Sequence, residues 1–390
     1  MFHQKKWSRF TKRRRKTESN SMNSKELVLK TLEGRNTNGR APRQLWTLPY
    51  AEQHFPEQLK NITSTFQNDI VEVPPEAKQY RTKPQITGDF YELGEYIDEW
   101  GCQFTNLQKG IVGEVKKPII VDEEWGDAKD VHIPEELLTI DTEKINEYCA
   151  GTDQFVLASD IARPFERLQF LRGTENLFMD FAYHPLELYR FSFGGKKQKK
   201  EPFTGENSLK TTGTKIYAFI EKMHDFYKRL LEVWAGTDVD GLFFMDDWGT
   251  QLNLLISPDT WKALFMPMYR DYSDIAKKYG KKIFFHSDGN IEKIIPYLID
   301  IGIDAVNSQV FCMGPENLAQ YQGKITFWGE VDRQNILPYG SKDDVKGAVK
   351  RLYDAFWKNG GAIAQCEFGI GADPNNVYTV FETWDQLTGN

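Results

Sequence analysis

The chain of 390 residues has few cysteines and no long apolar run. Its four cysteines, Cys102, Cys149, Cys312 and Cys366, are irregularly spaced, which argues against a disulfide framework and leaves each thiol free to pack or to bind a metal. No stretch approaches the roughly 18 to 20 uninterrupted apolar residues that a membrane span needs, and no secretion signal is evident. We therefore expect a cytoplasmic protein that does not contact a membrane.

Negative charge dominates the chain outside its amino-terminal end. The formal net charge is −7, but residues 1–21 carry a local charge of +7, which leaves −14 for the rest. A surface with this excess of negative charge repels nucleic acid, so we expect no nucleic-acid partner. We expect residues 1–21 to be a disordered basic extension, or the product of a start assigned too early, ahead of one domain over residues 22–390.

Hydrophobic patterning predicts that strands alternate with helices, because short apolar runs are separated by stretches with apolar residues three and four apart. The predicted strands are Gln44–Leu48, Phe155–Ser159, Leu242–Asp246, Ile283–His286, Ala305–Gln309, Ile325–Gly329 and Ala362–Cys366. The predicted helices are Pro164–Leu171, Thr214–Trp234, Pro258–Tyr279, Ile291–Ile299, Lys342–Trp357 and Asn375–Trp384. This alternation is typical of parallel strands with crossover helices, in an open doubly wound sheet or a closed barrel.

Two features favour the closed (β/α)8 TIM barrel. The first predicted strand is not followed by a Gly-rich phosphate turn, and polar residues follow many different strands. Chemistry in such barrels lies at the carboxyl ends of the strands, so we expect the functional site there. Residues 71–153 lack clear periodicity and are predicted to be long loops over the barrel mouth, while residues 194–213 are predicted to be a mobile surface loop.

A metal site is predicted from residues at two strand ends. His286 and Asp288 lie two residues apart, so both side chains leave the strand on the same side. Cys366 follows an equivalent apolar run, and the three donors together predict a zinc site. The alternatives are that His286 and Asp288 cap the following helix and that Cys366 is a packed apolar residue.

Further candidates follow the remaining strands. Glu330 and Asp332 share a face and are predicted to act together in catalysis, and Asp246 is a third candidate, although only one of Asp246 and Asp247 can face the barrel interior. Substrate contacts are predicted for Gln309 and for aromatic residues that either line the mouth or belong to the core. These aromatic residues are Trp46, Tyr50 and Trp248.

Several short motifs, in their order and spacing, resemble the uroporphyrinogen decarboxylase (URO-D) superfamily over nearly the whole chain from Met22. They are Leu45-Trp46, Phe55-Pro56-Glu57, Arg163-Pro164-Phe165, Leu255-Ile256-Ser257-Pro258, His286-Ser287-Asp288-Gly289, Gly329-Glu330-Val331-Asp332 and Gly369-Ile370. The resemblance implies a (β/α)8 barrel, which agrees with the patterning.

True uroporphyrinogen decarboxylases differ from this chain at the positions that serve their reaction. Their two substrate-binding arginines correspond to Pro49 and Gln53, and their essential aspartate aligns with Asn106. A tyrosine and a histidine of the family are replaced by Phe170 and Phe368. The resemblance therefore argues against porphyrinogen decarboxylation, and Asn106 is kept as a candidate substrate contact.

The zinc-dependent methyltransferases of the superfamily use a His-x-Cys pair and a later Cys as ligands. His286 matches the first ligand, Asp288 stands at the Cys position, and Cys366 lies near the later Cys. This similarity implies methyl transfer between a small-molecule substrate and a corrinoid-binding partner protein or a thiol, by a monomer or homodimer. The alternatives are a metal-free decarboxylase or lyase acting on a cyclic or aromatic carboxylate and, less favoured, a binding module.

Overall fold

The computed structural model describes residues 22–159, 161–183 and 207–389. The basic extension predicted over residues 1–21 lies outside these ranges. Of the surface loop predicted over residues 194–213, residues 194–206 also lie outside these ranges. From residue 207 onward the backbone is helical. None of the helices in the described ranges combines the length and apolar character that crossing a membrane requires.

The strands of the described chain form two sheets. They are β1 (Arg43–Thr47), β2 (Ile70–Glu72), β3 (Gly94–Ile97), β4 (Gln103–Asn106), β5 (Glu114–Lys117), β6 (Phe155–Ala158), β7 (Gly241–Met245), β8 (Lys282–Ser287), β9 (Ala305–Ser308), β10 (Thr326–Trp328) and β11 (Ala362–Phe368). The larger sheet has the order β1-β11-β10-β9-β8-β7-β6-β2, and its neighbouring strands are parallel.

Helices follow most of these strands. The α-helices are α1 (Ser24–Leu32), α2 (Pro49–His54), α3 (Pro56–Thr65), α4 (Thr142–Ala150), α5 (Pro164–Arg172), α6 (Thr174–Tyr183), α7 (Asn207–Ala235), α8 (Pro258–Thr260), α9 (Met266–Lys278), α10 (Ile295–Ile301), α11 (Val310–Met313), α12 (Pro315–Leu318), α13 (Ile336–Tyr339), α14 (Lys342–Phe356) and α15 (Pro374–Thr388). Helix α14 begins with a capping box, in which Ser341 and Asp344 each accept a backbone N–H.

The two edge strands bring the sheet almost to closure. The backbone N–H of Asp69, next to β2, donates to the carbonyl oxygen of Arg43 in β1 at 2.8 Å. Alternating strand residues then point into the ring, where they form a compact apolar cluster, and α1 adds Val28 to it. The strand residues of this interior cluster are Ile70, Phe155, Leu157, Phe243, Phe284, Ala305, Trp328 and Ile363. The predicted (β/α)8 barrel is confirmed.

The region predicted as irregular loops contains more regular structure than its sequence indicated. Strands β3, β4 and β5 form an antiparallel sheet, and β2 completes the barrel. The β4–β5 connection packs on the start of α2, just beyond the carboxyl end of β1. Gly110 permits this approach, since its φ is +84° and a Cβ there would lie 3.1 Å from the backbone nitrogen of Tyr50.

Candidate functional site

His286, at the carboxyl end of β8, is held by Asn307 of the neighbouring strand β9. Its Nδ1 lies 2.6 Å from Oδ1 of Asn307, and the two residues are paired in the strand register. The Asn307 amide donates to the backbone carbonyl of Trp328, which can only accept, so Oδ1 must be the atom that faces the imidazole. Nδ1 is therefore the donor, and Nε2 is the ring nitrogen left to face other groups.

Nε2 of His286 faces two carboxylates. Nε2 of His286 lies 3.6 Å from Oδ1 of Asp247 and 3.6 Å from Oδ1 of Asp288, and the three ligand atoms lie within 4.8 Å of one another. The backbone N–H of Asp288 donates to Oδ1 of Asp247 at 2.7 Å, which orients that carboxylate. Oδ1 of Asp288 is buried and has no hydrogen-bond partner among the described residues. One imidazole nitrogen and two carboxylate oxygens that converge in this way are atoms that a cation can bind.

Cys366 is not part of this group, which corrects the predicted ligand set. Strand residues alternate between the two faces of β11, and Ile363 lies in the interior cluster. Cys366 therefore shares the opposite face with Ala364 and Phe368, where all three pack in the core between strands and helices. Burial also raises the pKa of the Cys366 thiol well above its usual range, which disfavours the thiolate that a metal needs.

Asp246 and Asp247 face opposite sides of the barrel wall, as strand geometry requires. Asp246 is fully buried and accepts backbone N–H groups of Phe165 at 3.0 Å and Glu166 at 2.7 Å, together with the hydroxyl of Tyr269. Burial raises its pKa to about 7, although these hydrogen bonds act in the opposite direction. Asp246 thus stabilises the start of α5. This corrects its predicted position at the mouth, where Asp247 lies with His286 and Asp288 instead.

Arg333 contacts three carboxylates from three strand ends. Apart from its position just after Asp332, nothing in its sequence context indicates this role. Its Nη1 lies 2.9 Å from Oε2 of Glu367, its Nη2 donates to Oδ2 of Asp288, and its Nε lies 3.8 Å from Oε1 of Glu330. These neighbours raise the pKa of Arg333 further, so the guanidinium stays charged. Arg333 fixes the face of Asp288 that points away from His286.

Glu330 and Asp332 lie on the wall of one cavity of about 180 Å³. Glu330 is 2% exposed, its Oε2 has no hydrogen-bond partner among the described residues, and burial raises its pKa to about 8. Asp332 differs because it accepts the backbone N–H groups of Gln334 at 2.9 Å and Asn335 at 2.8 Å, so much of its carboxylate serves the turn before α13. Glu330 is the better placed of the two to contact a ligand.

The same cavity includes one of the predicted substrate contacts. Gln309 lies on its wall, where its Oε1 accepts from Nε2 of Gln251 at 2.9 Å. The full set of lining residues is Gln251, Gln309, Phe311, Cys312, Glu330, Asp332, Arg333, Gln334 and Asn335. Arg333 connects this cavity to the carboxylate group around His286, because it contacts both Glu330 and Asp288.

The predicted aromatic contacts divide between the site and the core. The ring centroid of Trp46 lies 5.3 Å from that of His286, so Trp46 borders the carboxylate group. Tyr50 stacks on His54 at 4.0 Å in α2, near the β4–β5 connection. Trp248 is fully buried and stacks on Phe165 at 4.2 Å, so it belongs to the core and its predicted substrate contact is corrected.

Asn106 is likewise occupied by the structure around it. Its amide donates to the carbonyl oxygens of Ile111 at 2.8 Å and Phe90 at 3.4 Å, and the side chain is 4% exposed. The first bond closes the β4–β5 connection and the second ties it to the chain before β3, so the amide is occupied and the predicted substrate contact is corrected. The substitution of an aspartate by an amide at this position suits a group that must donate to carbonyls.

Comparison with known proteins supports the family assignment. Residues 204–387 match the family model described as Uroporphyrinogen decarboxylase (URO-D). Over these residues, which are slightly less than half of the chain, the sequence is similar to this family. The resemblance identified from the sequence motifs is thereby confirmed. No curated protein sequence matches the chain.

Solved structures show a similar fold over nearly the whole chain. A methyltransferase from Methanosarcina mazei superimposes with a TM-score of 0.56 and 13% sequence identity, covering 94% of this chain and 99% of that one. An endo-1,4-beta-xylanase from Caldicellulosiruptor owensensis superimposes with a TM-score of 0.30 and 12% identity, covering 58% of this chain and 70% of that one. The first match shows a shared fold, and the second is too distant to carry an argument.

Proposed function

We propose that this chain is a metal-dependent methyltransferase that moves a methyl group between a small substrate and a corrinoid-binding protein or a thiol. The observation that carries the proposal is the position of His286 Nε2, which faces one carboxylate oxygen each from Asp247 and Asp288 at 3.6 Å. The similarity of residues 204–387 to the uroporphyrinogen decarboxylase family and the shared fold with a methyltransferase support it.

The donor set fits a zinc ion held by one imidazole and two carboxylates. Three protein ligands leave a coordination position for a substrate atom, which is the arrangement of catalytic zinc sites. Bound zinc would supply Lewis-acid chemistry and lower the pKa of a hydroxyl or thiol that it binds. The two carboxylates make the site harder than one built on thiolates, so oxygen and nitrogen ligands are favoured.

The chain's own residues around this group orient the three ligands. Asn307 fixes the imidazole tautomer, the backbone N–H of Asp288 holds Asp247, and Arg333 holds the second oxygen of Asp288. Outer hydrogen bonds of this kind determine ligand direction and basicity. We propose that the corrinoid-binding partner docks at the carboxyl end of the barrel, because the three ligands lie there.

A second candidate function is favoured by Glu330. A buried carboxylic acid whose pKa is raised to about 8 retains its proton at neutral pH, and its Oε2 is unpaired in a cavity wall. Such a group can donate a proton to a carbanion formed when a carboxylate is lost. With this function the protein would be a metal-free lyase. The presence or absence of bound metal in the purified protein distinguishes the two functions.

Elemental analysis of purified protein tests the proposal. We expect about one zinc per chain in the wild type, and its loss in His286→Ala and in Asp247→Ala. Cys366→Ala is the matched control and should keep the metal. Dealkylation of methylcobalamin in the presence of a thiol, followed by absorbance without oxygen, then tests methyl transfer. Protein that stays zinc-free after supplementation would contradict the methyltransferase and favour the lyase.

A further inference from the structure

The cavity beside the carboxylate group has a negative balance of charge. Its wall contains the carboxylates of Glu330 and Asp332 and the guanidinium of Arg333. Arg333 already pairs with protein carboxylates: its Nη1 contacts Glu367, its Nη2 contacts Asp288 and its Nε faces Glu330. One cation surrounded by three carboxylates offers little attraction to a further anion.

A metal ion would not reverse this balance. Asp247, Asp288, Glu330, Asp332 and Glu367 provide five carboxylates, against one guanidinium and the two charges of a zinc ion. Two negative charges remain when all five are ionised, and one remains while Glu330 keeps its proton. An anionic substrate entering here would be repelled and would also lose its hydration.

Glu330 supplies an independent sign of what the cavity binds. Its side chain is 3% exposed, lies in the cavity wall, and has an Oε2 without a hydrogen-bond partner among the described residues. An unpaired acceptor at a buried position is costly, and a ligand that carries donors or positive charge would satisfy it. The amides of Gln309, Gln334 and Asn335 around it can accommodate a neutral polar end of the same ligand.

We propose that this cavity is the substrate site and that it selects a small organic cation, bound against the carboxylate of Glu330, over an anion of the same size. The volume of about 180 Å³ restricts the ligand to a small molecule. The inference rests on the proposed function in one respect, since it takes the cavity to serve the metal centre that Asp288 and Arg333 connect to it. It disfavours a carboxylate as substrate, which the lyase would require.

Three probes of nearly equal shape test the charge preference. Choline is the cation, 3,3-dimethylbutan-1-ol is its neutral carbon analogue, and 3,3-dimethylbutanoate is the anion. Titration calorimetry at about pH 9, where Glu330 is ionised, should be done on metal-free and on zinc-supplemented protein. It should give an affinity for choline at least about tenfold above that for the alcohol, with the anion weakest.

Variants of Glu330 assign the preference to this carboxylate. Glu330→Gln keeps the shape and should weaken choline about tenfold while leaving the alcohol unchanged. Glu330→Asp keeps the charge and should retain the preference, which separates a charge effect from misfolding. Glu316→Gln is the control, because Glu316 is an exposed carboxylate paired with Arg351 elsewhere on the surface.

The outcomes separate this inference from the proposed function. Tighter binding of the anion, equal binding of all three probes, no binding of choline, or a preference unchanged in Glu330→Gln would each overturn it. Zinc is measured on the same samples. Zinc-free protein that still prefers choline would contradict the methyltransferase proposal and support the cation site. Zinc-loaded protein that prefers the anion would contradict the cation site and support the metal centre of the methyltransferase.

Discussion

Asn307 holds His286 in one tautomer, through a hydrogen bond of 2.6 Å from Nδ1 to the amide oxygen. The amide is itself fixed by the carbonyl of Trp328 and by Oε1 of Gln365, to which it donates at 3.1 Å. A chain of buried hydrogen bonds thus extends from the interior of the barrel to the ring nitrogen that faces Asp247 and Asp288. Orientation of this kind is what a metal-binding imidazole requires.

Replacement of this amide should weaken metal binding. We expect Asn307→Ala to lower zinc affinity by roughly 10- to 100-fold, because His286 can then adopt the other tautomer. It should also lower the free energy of unfolding by about 1–3 kcal/mol, since the Trp328 carbonyl loses its donor. Competition with a chelator measures the first effect, and urea denaturation measures the second.

Asn106→Ala is a control for this prediction. Asn106 is also a buried amide that donates to backbone carbonyls, so its replacement should cost a similar amount of stability. It lies outside the carboxylate group, so the zinc affinity of the folded protein should not change. If both variants lose affinity to the same extent, the effect of Asn307 is a general loss of stability and not an orientation of His286.

Replacement of Asp246 by alanine should lower stability, whereas the same replacement of Asp247 should remove metal binding. Asp246→Ala leaves two backbone N–H groups and the Tyr269 hydroxyl without their acceptor, so the free energy of unfolding should fall by about 2–4 kcal/mol. Asp247→Ala should change stability by less than about 1 kcal/mol and abolish zinc binding. Urea denaturation and metal analysis of both variants check this, and metal loss in Asp246→Ala with a stable fold would contradict it.

Glu330 should make the stability of the metal-free protein depend on pH. Burial raises its pKa from 4.5 to about 8 in the folded state, so the unfolded chain releases this proton first as pH rises. Its contribution is therefore complete below about pH 4.5 and is lost as pH rises to about 8. The charges that face it are Arg333, which lowers its pKa, and Asp288, Glu367 and Asp332, which raise it.

Glu330→Gln removes this titration. We expect the fall in unfolding free energy between pH 5 and pH 8 to be smaller by roughly 2–4 kcal/mol than in the wild type, measured by urea denaturation at both values. Asp246 adds a fall of the same sign up to about pH 7, but it does so equally in both proteins. An identical pH dependence of the two proteins would show that Glu330 ionises normally.

The sequence predicted those parts of the site that depend on local geometry. His286 and Asp288 were expected on one side of a strand because strand periodicity is two, and both lie in the carboxylate group. The (β/α)8 barrel was predicted because hydrophobic alternation extends over several complete strand and helix units. These inferences need only residues that are close in the chain.

Local geometry does not predict which face of a buried strand points into the barrel. The runs before Asp246 and Cys366 are apolar throughout, because parallel barrel strands are covered on both faces. Such a run does not indicate which residues point inward. For this reason the sequence predicts Cys366 as a metal ligand at the mouth and Asp246, in place of Asp247, as a catalytic residue there. Arg333 was missed for a different reason: Asp288 and Glu367 lie 45 and 34 residues away in the chain.

Arg333 should be far more important to stability than a surface arginine with equally good geometry. Its side chain is 23% exposed and contacts three carboxylates, two of them in the strand-end loops. Arg333→Met would leave those carboxylates without their cation, and we expect the free energy of unfolding to fall by about 3–5 kcal/mol at pH 8. Combination with Glu330→Gln should recover part of this loss, since one of the three charges is then absent.

Arg351→Met is the matched comparison. Arg351 makes two contacts with Glu316, at 2.7 and 2.9 Å, but its side chain is 47% exposed and water can replace the pair. We therefore expect a loss of no more than about 1 kcal/mol. Urea denaturation of the two single variants and of the Arg333→Met/Glu330→Gln double variant decides the point. Equal losses in the single variants, or an additive loss in the double variant, would mean that Arg333 does not neutralise the carboxylates at the barrel mouth.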